Sequence, residues 1–208
     1  MLRPSRLPLE FIEGERVALV GGAWGERFDL FGHFETLLHS RFPQQGLVVR
    51  NFCVPADEVG IRQRSSDYTK LDDPPAAFGA DTFLCFFGFN ESFAGSEGVE
   101  KFKADYAKFL DDYSRAYPRD DTKATPRFLL ISAAAFEGAD DGSLPNGKTE
   151  NANLKLYASA VADVAKARSL AFVDLFERTN ALFAQKSLAV HGQRRAPERG
   201  SVRVRLAR

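Results

Sequence analysis

Five short apolar segments, each followed by a stretch of different character, constrain the fold of this chain more than any other feature. Most of their residues are apolar or β-branched, which is typical of strands buried on both faces of a sheet. Strands separated by helices run parallel, because a parallel neighbour needs a crossover connection. The sequence therefore predicts an α/β protein with a five-stranded parallel sheet between two layers of helices. The predicted strands are residues 17–20, 46–52, 82–87, 128–132 and 171–175.

Most stretches between these strands show the spacing of helices that pack one face on a sheet. A helix is predicted over residues 30–41, and another over 177–186. Ser96 and Thr149 are predicted to cap the two long helices between them. Residues 57–80 are polar and weakly periodic, which favours a short helix plus loops. The side chains predicted to face the sheet are Phe31, Phe34, Leu38 and Phe42 in the first helix, Val99, Phe102, Tyr106, Phe109 and Tyr113 in the second, and Leu154, Tyr157, Val161 and Val164 in the third.

The length and charge of the chain exclude several classes of function. Its 208 residues fit one domain with a core large enough to fold unaided. The 28 basic and 28 acidic residues balance, so no overall field attracts nucleic acid or a membrane surface. The N-terminal segment lacks the apolar core of a signal peptide, and no apolar run approaches the roughly 18–20 residues that span a bilayer. We therefore expect a cytoplasmic protein with neither a membrane nor a nucleic-acid partner.

The domain is predicted to cover residues 1–193, followed by an Arg-rich tail over 194–208 outside the core. Solvated chain, weak contact with an acidic partner and an aberrant reading of the gene are the alternatives for this tail. The two cysteines, Cys53 and Cys85, lie in or beside predicted strands without metal-ligand spacing. Buried free thiols in a reducing compartment are the expectation, and neither a metal nor a cofactor is expected.

Glycines after the first strand raise the question of a phosphate-binding loop. A dinucleotide fingerprint needs G-x-G-x-x-G directly after the strand, with a helix that begins at once. Gly22 and Gly25 match its second and third glycines, but Val20 occupies the position of the first. The periodic helix also begins several residues too late. The spacing therefore argues against a nucleotide cofactor.

Three loops follow the carboxyl ends of the first three predicted strands, at residues 21–23, 51–57 and 88–91. Such ends share one edge of a parallel sheet, and ligands bind there where the direction of connection reverses. We expect the side-chain amide of Asn90 and the backbone N–H groups of Ala23 and Ala56 to converge at this edge. Three donors around one point are what a developing oxyanion requires. The alternative for Asn90 is a turn-forming role in which it holds its own backbone.

At these loops the sequence resembles the SGNH (GDSL-like) hydrolase family, and the likeness extends over nearly the whole chain. The segment LVGGAWGER is similar to the first family block, a strand followed by Gly-Asp-Ser. NFCVPADEV is similar to the second block, whose Gly supplies an oxyanion N–H, and FFGFNE to the third, Gly-x-Asn-Asp, whose Asn is an oxyanion donor. The chain also resembles divergent bacterial members with an ETLL helix and an FFGFNESF stretch. The resemblance implies a flavodoxin-like sheet and ester hydrolysis by a Ser and a His, often on acetylated sugars or lipids.

Key residues of the family are replaced at the matching positions of this chain. Ala23 stands where the nucleophilic Ser belongs, and alanine has no lone pair with which to attack a carbonyl. Gly22 replaces the Asp before it, and Ala56 replaces the Gly of the second block, which keeps the N–H while its methyl narrows the approach. The last block, Asp-x-x-His, matches a segment in which His191 takes the Asp position and Arg194 the His position. An arginine cannot act as a general base near neutral pH, because its pKa exceeds about 12.

A shift of register would bring His191, which we expect in a loop, into the role of the base. Asp174 or Asp57 would then orient its imidazole; a solvated surface histidine is the alternative. Ser92 and Ser132 are further hydroxyls near strand ends, but neither has a base nearby in the sequence.

The sequence leaves three hypotheses open. The first is an SGNH-like protein that is impaired or inactive as a Ser-His esterase and binds a small acyl or carbohydrate ligand in an oxyanion-type pocket. The second is an active esterase with His191 as a rearranged base, and the third is a non-catalytic interaction domain. The residues expected to form the pocket are Gly22, Ala23, Ala56, Gly88 and Asn90, with Arg194 as a further contact.

Overall fold

A parallel sheet forms the centre of the computed structural model, which describes residues 2–62, 78–118, 124–138 and 145–193, with side chains as far as residue 185. Its strands are β1 (Arg16–Gly21), β2 (Val48–Asn51), β3 (Thr82–Phe86), β4 (Arg127–Ile131) and β5 (Ala171–Val173). All neighbours are parallel, in the order β2-β1-β3-β4-β5. The predicted five-stranded α/β fold is therefore confirmed.

Helices cover the sheet on both faces. Ala18 and Val20 of β1 pack on one side with residues such as Phe102 and Val161. The alternate residues Val17 and Leu19 pack on the other side, which gives three layers. The helices are α1 (Ala23–Glu26), α2 (Phe28–Phe31), α3 (His33–Arg41), a 3₁₀ helix (Glu91–Gly98), α4 (Val99–Ala116), α5 (Lys148–Ala167) and α6 (Leu175–Gln193).

The helix predicted over residues 30–41 is instead split in two. Gly32 adopts a left-handed conformation with a φ of 61°, which ends α2 and begins α3. Phe34 and Leu38 pack on the sheet as predicted, because they lie after the break. Phe31 lies before it and is 71% exposed. Apolar spacing alone predicted one continuous helix, since it does not register a left-handed glycine.

Several predicted boundaries are also wrong. Ser96 lies inside the 3₁₀ helix, and the residue before α4 is Gly98. The residue before α5 is Gly147, at a φ of 80°, so that Thr149 is already helical. β5 ends at Val173, because the next residue, Asp174, accepts a hydrogen bond from the backbone N–H of Glu177 and caps α6. α6 then continues through Gln193, well beyond the predicted end. In the segment 57–80, residues 63–77 lie outside the described residues.

A buried ionic network lies at the amino ends of the central strands. Glu15, which is 2% exposed, accepts hydrogen bonds at Oε1 from the Thr82 hydroxyl at 2.6 Å and from the Arg127 guanidinium. Its Oε2 accepts the backbone N–H of Ile12 at 3.0 Å. The network therefore joins β3 and β4 to the segment that precedes β1.

Cys53 and Cys85 are free and buried, as predicted. Burial raises the pKa of both thiols, which keeps them protonated near neutral pH. None of the helices in the described ranges has the length and apolar character that a membrane span requires.

Candidate functional site

A cavity of about 550 Å³ opens at the carboxyl edge of the sheet, beside the ends of β1 and β3. The chain passes from β1 to β2 on one side and then crosses back to β3 on the other, so the connection reverses here. Open α/β sheets bind their ligands at such a position. Of the predicted site residues, Gly22, Ala23, Gly88 and Asn90 all line the cavity.

Gly21 brings the turn after β1 into contact with β3. Its φ is 138°, and a Cβ built on it would lie 2.2 Å from the carbonyl oxygen of Phe86. The next residue, Gly22, donates its backbone N–H to the same oxygen at 3.0 Å. Only glycine fits at position 21, because its backbone lies so close to that of Phe86. This close approach of the two strands places Ala23 at the rim of the cavity.

The turns after β2 and β3 meet the turn after β1. Asn90 directs its Nδ2 atom to the carbonyl oxygen of Asp57 at 3.4 Å, a long hydrogen bond. A Cβ built on Gly22 would lie 3.2 Å from that oxygen and 3.8 Å from the Nδ2 atom. Segments widely separated in the sequence therefore come together at one point.

The side chains at this point differ in part from the prediction. Asn90 makes no capping hydrogen bond to the helix that follows it, so its amide crosses to another turn rather than holding its own backbone. Ala56 lies in the turn after β2 with a φ of 66° and is exposed. Its buried neighbour Asp57, rather than Ala56, lines the cavity.

Glu91 is a site residue that we did not single out from the sequence. Its Oε1 accepts the backbone N–H of Val59 at 2.8 Å, and its Oε2 accepts that of Gly88 at 2.9 Å. The carboxylate thus ties the turn after β2 to the turn after β3. Burial raises the pKa of Glu91, against the smaller opposing effect of these two N–H donors. The available signal was its place directly after Asn90, where the family block has an acid.

Replacement of Glu91 by alanine is expected to lower the free energy of unfolding by about 2 kcal/mol, because two buried N–H groups lose their acceptor. Urea unfolding measures the change. Glu97→Ala, an exposed carboxylate on the same 3₁₀ helix, is the matched control and is expected to have little effect. Equal effects of the two substitutions would contradict the role of Glu91 in joining the turn after β2 to the turn after β3.

The raised pKa of Glu91 adds a pH dependence to this expectation. The folded protein binds the proton more tightly than the unfolded chain, so the contribution of this group to stability falls as pH rises from the ordinary pKa of Glu to the raised one. Glu91→Gln is expected to remove that slope, and a slope unchanged by the substitution would assign it to other groups.

The serine hydroxyls near the cavity serve the backbone. Ser132, which lines the cavity, accepts the N–H groups of Leu175 and Phe176 at 2.9 and 3.1 Å and so caps α6. Ser92 is buried and donates its hydroxyl to the carbonyl oxygen of Phe89 at 2.6 Å. Neither hydroxyl has a histidine partner among the described side chains, which argues against either as a nucleophile.

His191 lies in helix α6, not in a loop as the sequence predicted. Asp174 precedes that helix, so at 1.5 Å per residue the two backbones lie roughly 25 Å apart along the helix axis. Asp174 already accepts hydrogen bonds from the Glu177 N–H and the Ser132 hydroxyl. The proposed orientation of His191 by Asp174 is therefore wrong. Arg194 lies outside the described residues.

Aromatic side chains form much of the cavity wall. Partly buried rings from four segments line it: Trp24 follows β1, Phe89 follows β3, Phe136 follows β4 and Phe183 belongs to α6. The buried Phe86 and Phe87, at the end of β3, line it as well. Two exposed side chains of opposite charge, Arg27 and Glu137, also line it. Across the described ranges, no group of three or more His, Cys, Asp and Glu side chains is arranged to hold a metal ion.

The layer order and the cavity at the switch point define the class of fold: a three-layer α/β fold of the SGNH-hydrolase type. No protein-family model matches the chain, and no curated protein matches it significantly.

Solved structures show the same fold in several esterases. An acetylxylan esterase from Geobacillus stearothermophilus, in a catalytic mutant form, is similar with a TM-score of 0.60 and 14% identity, over 85% of this chain and 83% of that one. The aryl esterase of M. smegmatis is similar with a TM-score of 0.57 and 12% identity, over 77% and 84%. A gut microbial diltiazem-metabolizing enzyme matches with a TM-score of 0.64 and 18% identity; 88% of this chain covers 42% of that enzyme. At these identities the likeness shows the fold alone.

Proposed function

We propose that this protein is an SGNH-like esterase scaffold that holds a carbonyl or carboxylate oxygen of a small acyl or carbohydrate ligand without covalent catalysis. One observation carries the proposal: Gly22, Asp57 and Asn90, from three separate turns, meet at the edge of a cavity. The two neighbouring proteins are, by their names, an acetylxylan esterase and an aryl esterase, and they share this fold. In this proposal, the carbonyl or carboxylate oxygen of the ligand lies beside the side-chain amide of Asn90.

Two kinds of donor are available to that oxygen. An asparagine amide carries two N–H groups, so Asn90 can donate to the Asp57 carbonyl and also to a ligand. Ala23 is the first residue of α1, where a backbone N–H has no partner within the helix. The backbone N–H of Ala56, in the exposed turn beside Asp57, is proposed as a third donor.

The position of Ala23 argues against an acyl-enzyme. The methyl group of Ala23 at the cavity rim cannot attack a carbonyl. In hydrolases with a Ser-His mechanism, loss of the serine nucleophile lowers the rate by a factor on the order of 10⁶. The oxyanion site would persist in such a protein, because its donors come from the backbone and from Asn90. Binding is therefore the activity that the remaining groups support.

Replacement of Asn90 by alanine is expected to weaken acetate binding about 10-fold or more, because a hydrogen bond to a charged group contributes about 1.5–3 kcal/mol. Calorimetry with acetate, sulfate and acetylated sugars measures the affinities. Asn180→Ala, on the exposed face of α6, is the matched control. Absence of binding by every probe, or equal affinity in Asn90→Ala, would contradict the proposal.

Replacement of His191 by alanine separates this proposal from an esterase with a rearranged base. We expect the wild-type protein and His191→Ala to release p-nitrophenol from p-nitrophenyl acetate at the same slow rate, without an initial burst, because Ala23 cannot form an acyl-enzyme. The release is followed by absorbance. A rate well above background that disappears in His191→Ala would restore the esterase hypothesis.

A further inference from the structure

We propose that the cavity selects an arene carboxylate over an acetylated sugar. The inference rests on the proposed function, since the carboxyl oxygen is taken to lie at Asn90. It adds the chemistry of the rest of the ligand: an aromatic ring that occupies the space between the rings of the wall.

The rings of the wall come from four independent segments. Trp24, Phe89, Phe136 and Phe183 line one cavity and are each only partly buried, unlike Phe86 and Phe87, which also line it and are buried. Phe89 is held edge-on against Phe93, with ring centres 5.8 Å apart and planes at 88°. Aromatic rings favour such edge-to-face and offset contacts with another ring, beyond the effect of the area they bury.

The floor of the cavity leaves room for that ring. Ala133 and Ala135, which follow β4, are both buried and line the cavity with methyl groups only. The volume of about 550 Å³ falls within the roughly 300–1,000 Å³ of small-molecule sites. In the proposed mode of binding, the ring occupies this space and a carboxylate oxygen lies toward Asn90.

The polar groups of the wall favour a ring over a sugar. Each sugar hydroxyl that enters a site must exchange its water for a protein partner, or it loses hydrogen bonds. Ser132 and Glu91 line the cavity, but their oxygens already accept backbone N–H groups of the protein. Arg27 and Glu137 also line the cavity, but both are exposed to solvent. The ring of an arene has no hydroxyl groups, so it needs no hydrogen-bond partners in the wall.

The single tryptophan of the chain, Trp24, reports directly on this cavity. We would titrate the protein with benzoate, acetate and an acetylated methyl xyloside, by Trp24 fluorescence and by calorimetry. Benzoate is expected to bind at least about 10-fold more tightly than acetate and to change the fluorescence, and the xyloside to bind more weakly than benzoate.

Ring-removing substitutions test the wall. Phe89→Leu and Phe183→Leu keep an apolar side chain, and each is expected to weaken benzoate binding several-fold while acetate binding is unchanged. Phe31→Leu, at a phenylalanine that is 71% exposed and outside the cavity, is the control. A substitution that merely loosened the fold would weaken both ligands together.

The outcomes distinguish this inference from the proposed function. If benzoate and acetate bind equally and Asn90→Ala weakens both, the ring preference is overturned while the oxygen site stands. If benzoate binds more tightly but Asn90→Ala has no effect, the ring preference stands and the oxygen site fails. Tighter binding of the xyloside than of benzoate, or no binding by any probe, overturns the inference.

Discussion

Replacement of Gly21 by alanine is expected to destabilise the fold by about 4 kcal/mol or more, at the upper end of what single substitutions do. The new Cβ would lie 2.2 Å from the oxygen, 2.6 Å from the carbonyl carbon and 2.9 Å from the Cα of Phe86. All three are backbone atoms of β3, which is paired with β1 at this position. Relief of the clash therefore requires separation of the two central strands at the edge of the cavity.

The control must separate this contact from the cost of a positive φ. Gly46 has a φ of 53°, and a Cβ built on it would meet nothing within 4 Å. Gly46→Ala is expected to lower the free energy of unfolding by only about 1 kcal/mol, which is the cost of a positive φ for alanine without a steric clash. Urea unfolding followed by circular dichroism compares the two variants. Similar midpoints for Gly21→Ala and Gly46→Ala would mean that β1 and β3 do not approach as closely as described.

The sheet was predictable from the sequence because its strands are short and most of their residues are apolar. Segments such as 82–87 are buried on both faces, so their composition identifies them without any tertiary information. Their alternation with helices then fixed the parallel topology. The position of the cavity followed as well, because the switch point is a property of the strand order.

The contacts within the site were less predictable, since they join residues far apart in the chain. Asn90 meets Asp57 across 33 positions, and Glu91 meets Val59 across 32. No local pattern encodes which carbonyl an amide reaches. The expectation for His191 failed because it depended on where α6 ends: the apolar spacing predicted an end near residue 186, whereas the helix continues through Gln193.

Replacement of Glu15 by alanine is expected to lower the free energy of unfolding by about 3–5 kcal/mol, because it leaves the charge of Arg127 without its partner in a mostly buried position. The side chains of Glu15 and Arg127 are 3% and 13% exposed. The Thr82 hydroxyl and the Ile12 N–H lose their acceptor as well. Glu177→Ala, in an exposed pair with Lys155, is the control and is expected to have little effect.

A double variant tests whether the loss comes from the unpaired charge. Glu15→Leu combined with Arg127→Met replaces both ions by apolar groups, and is expected to recover much of the stability that Glu15→Ala loses. If the double variant is as unstable as the sum of the single ones, the pair contributes through packing alone. The network lies at the amino ends of the strands, whereas the cavity lies at their carboxyl ends. Glu15→Ala is therefore expected to leave ligand affinity unchanged wherever the variant is folded, in contrast to Gly21→Ala, which acts on the rim of the cavity itself.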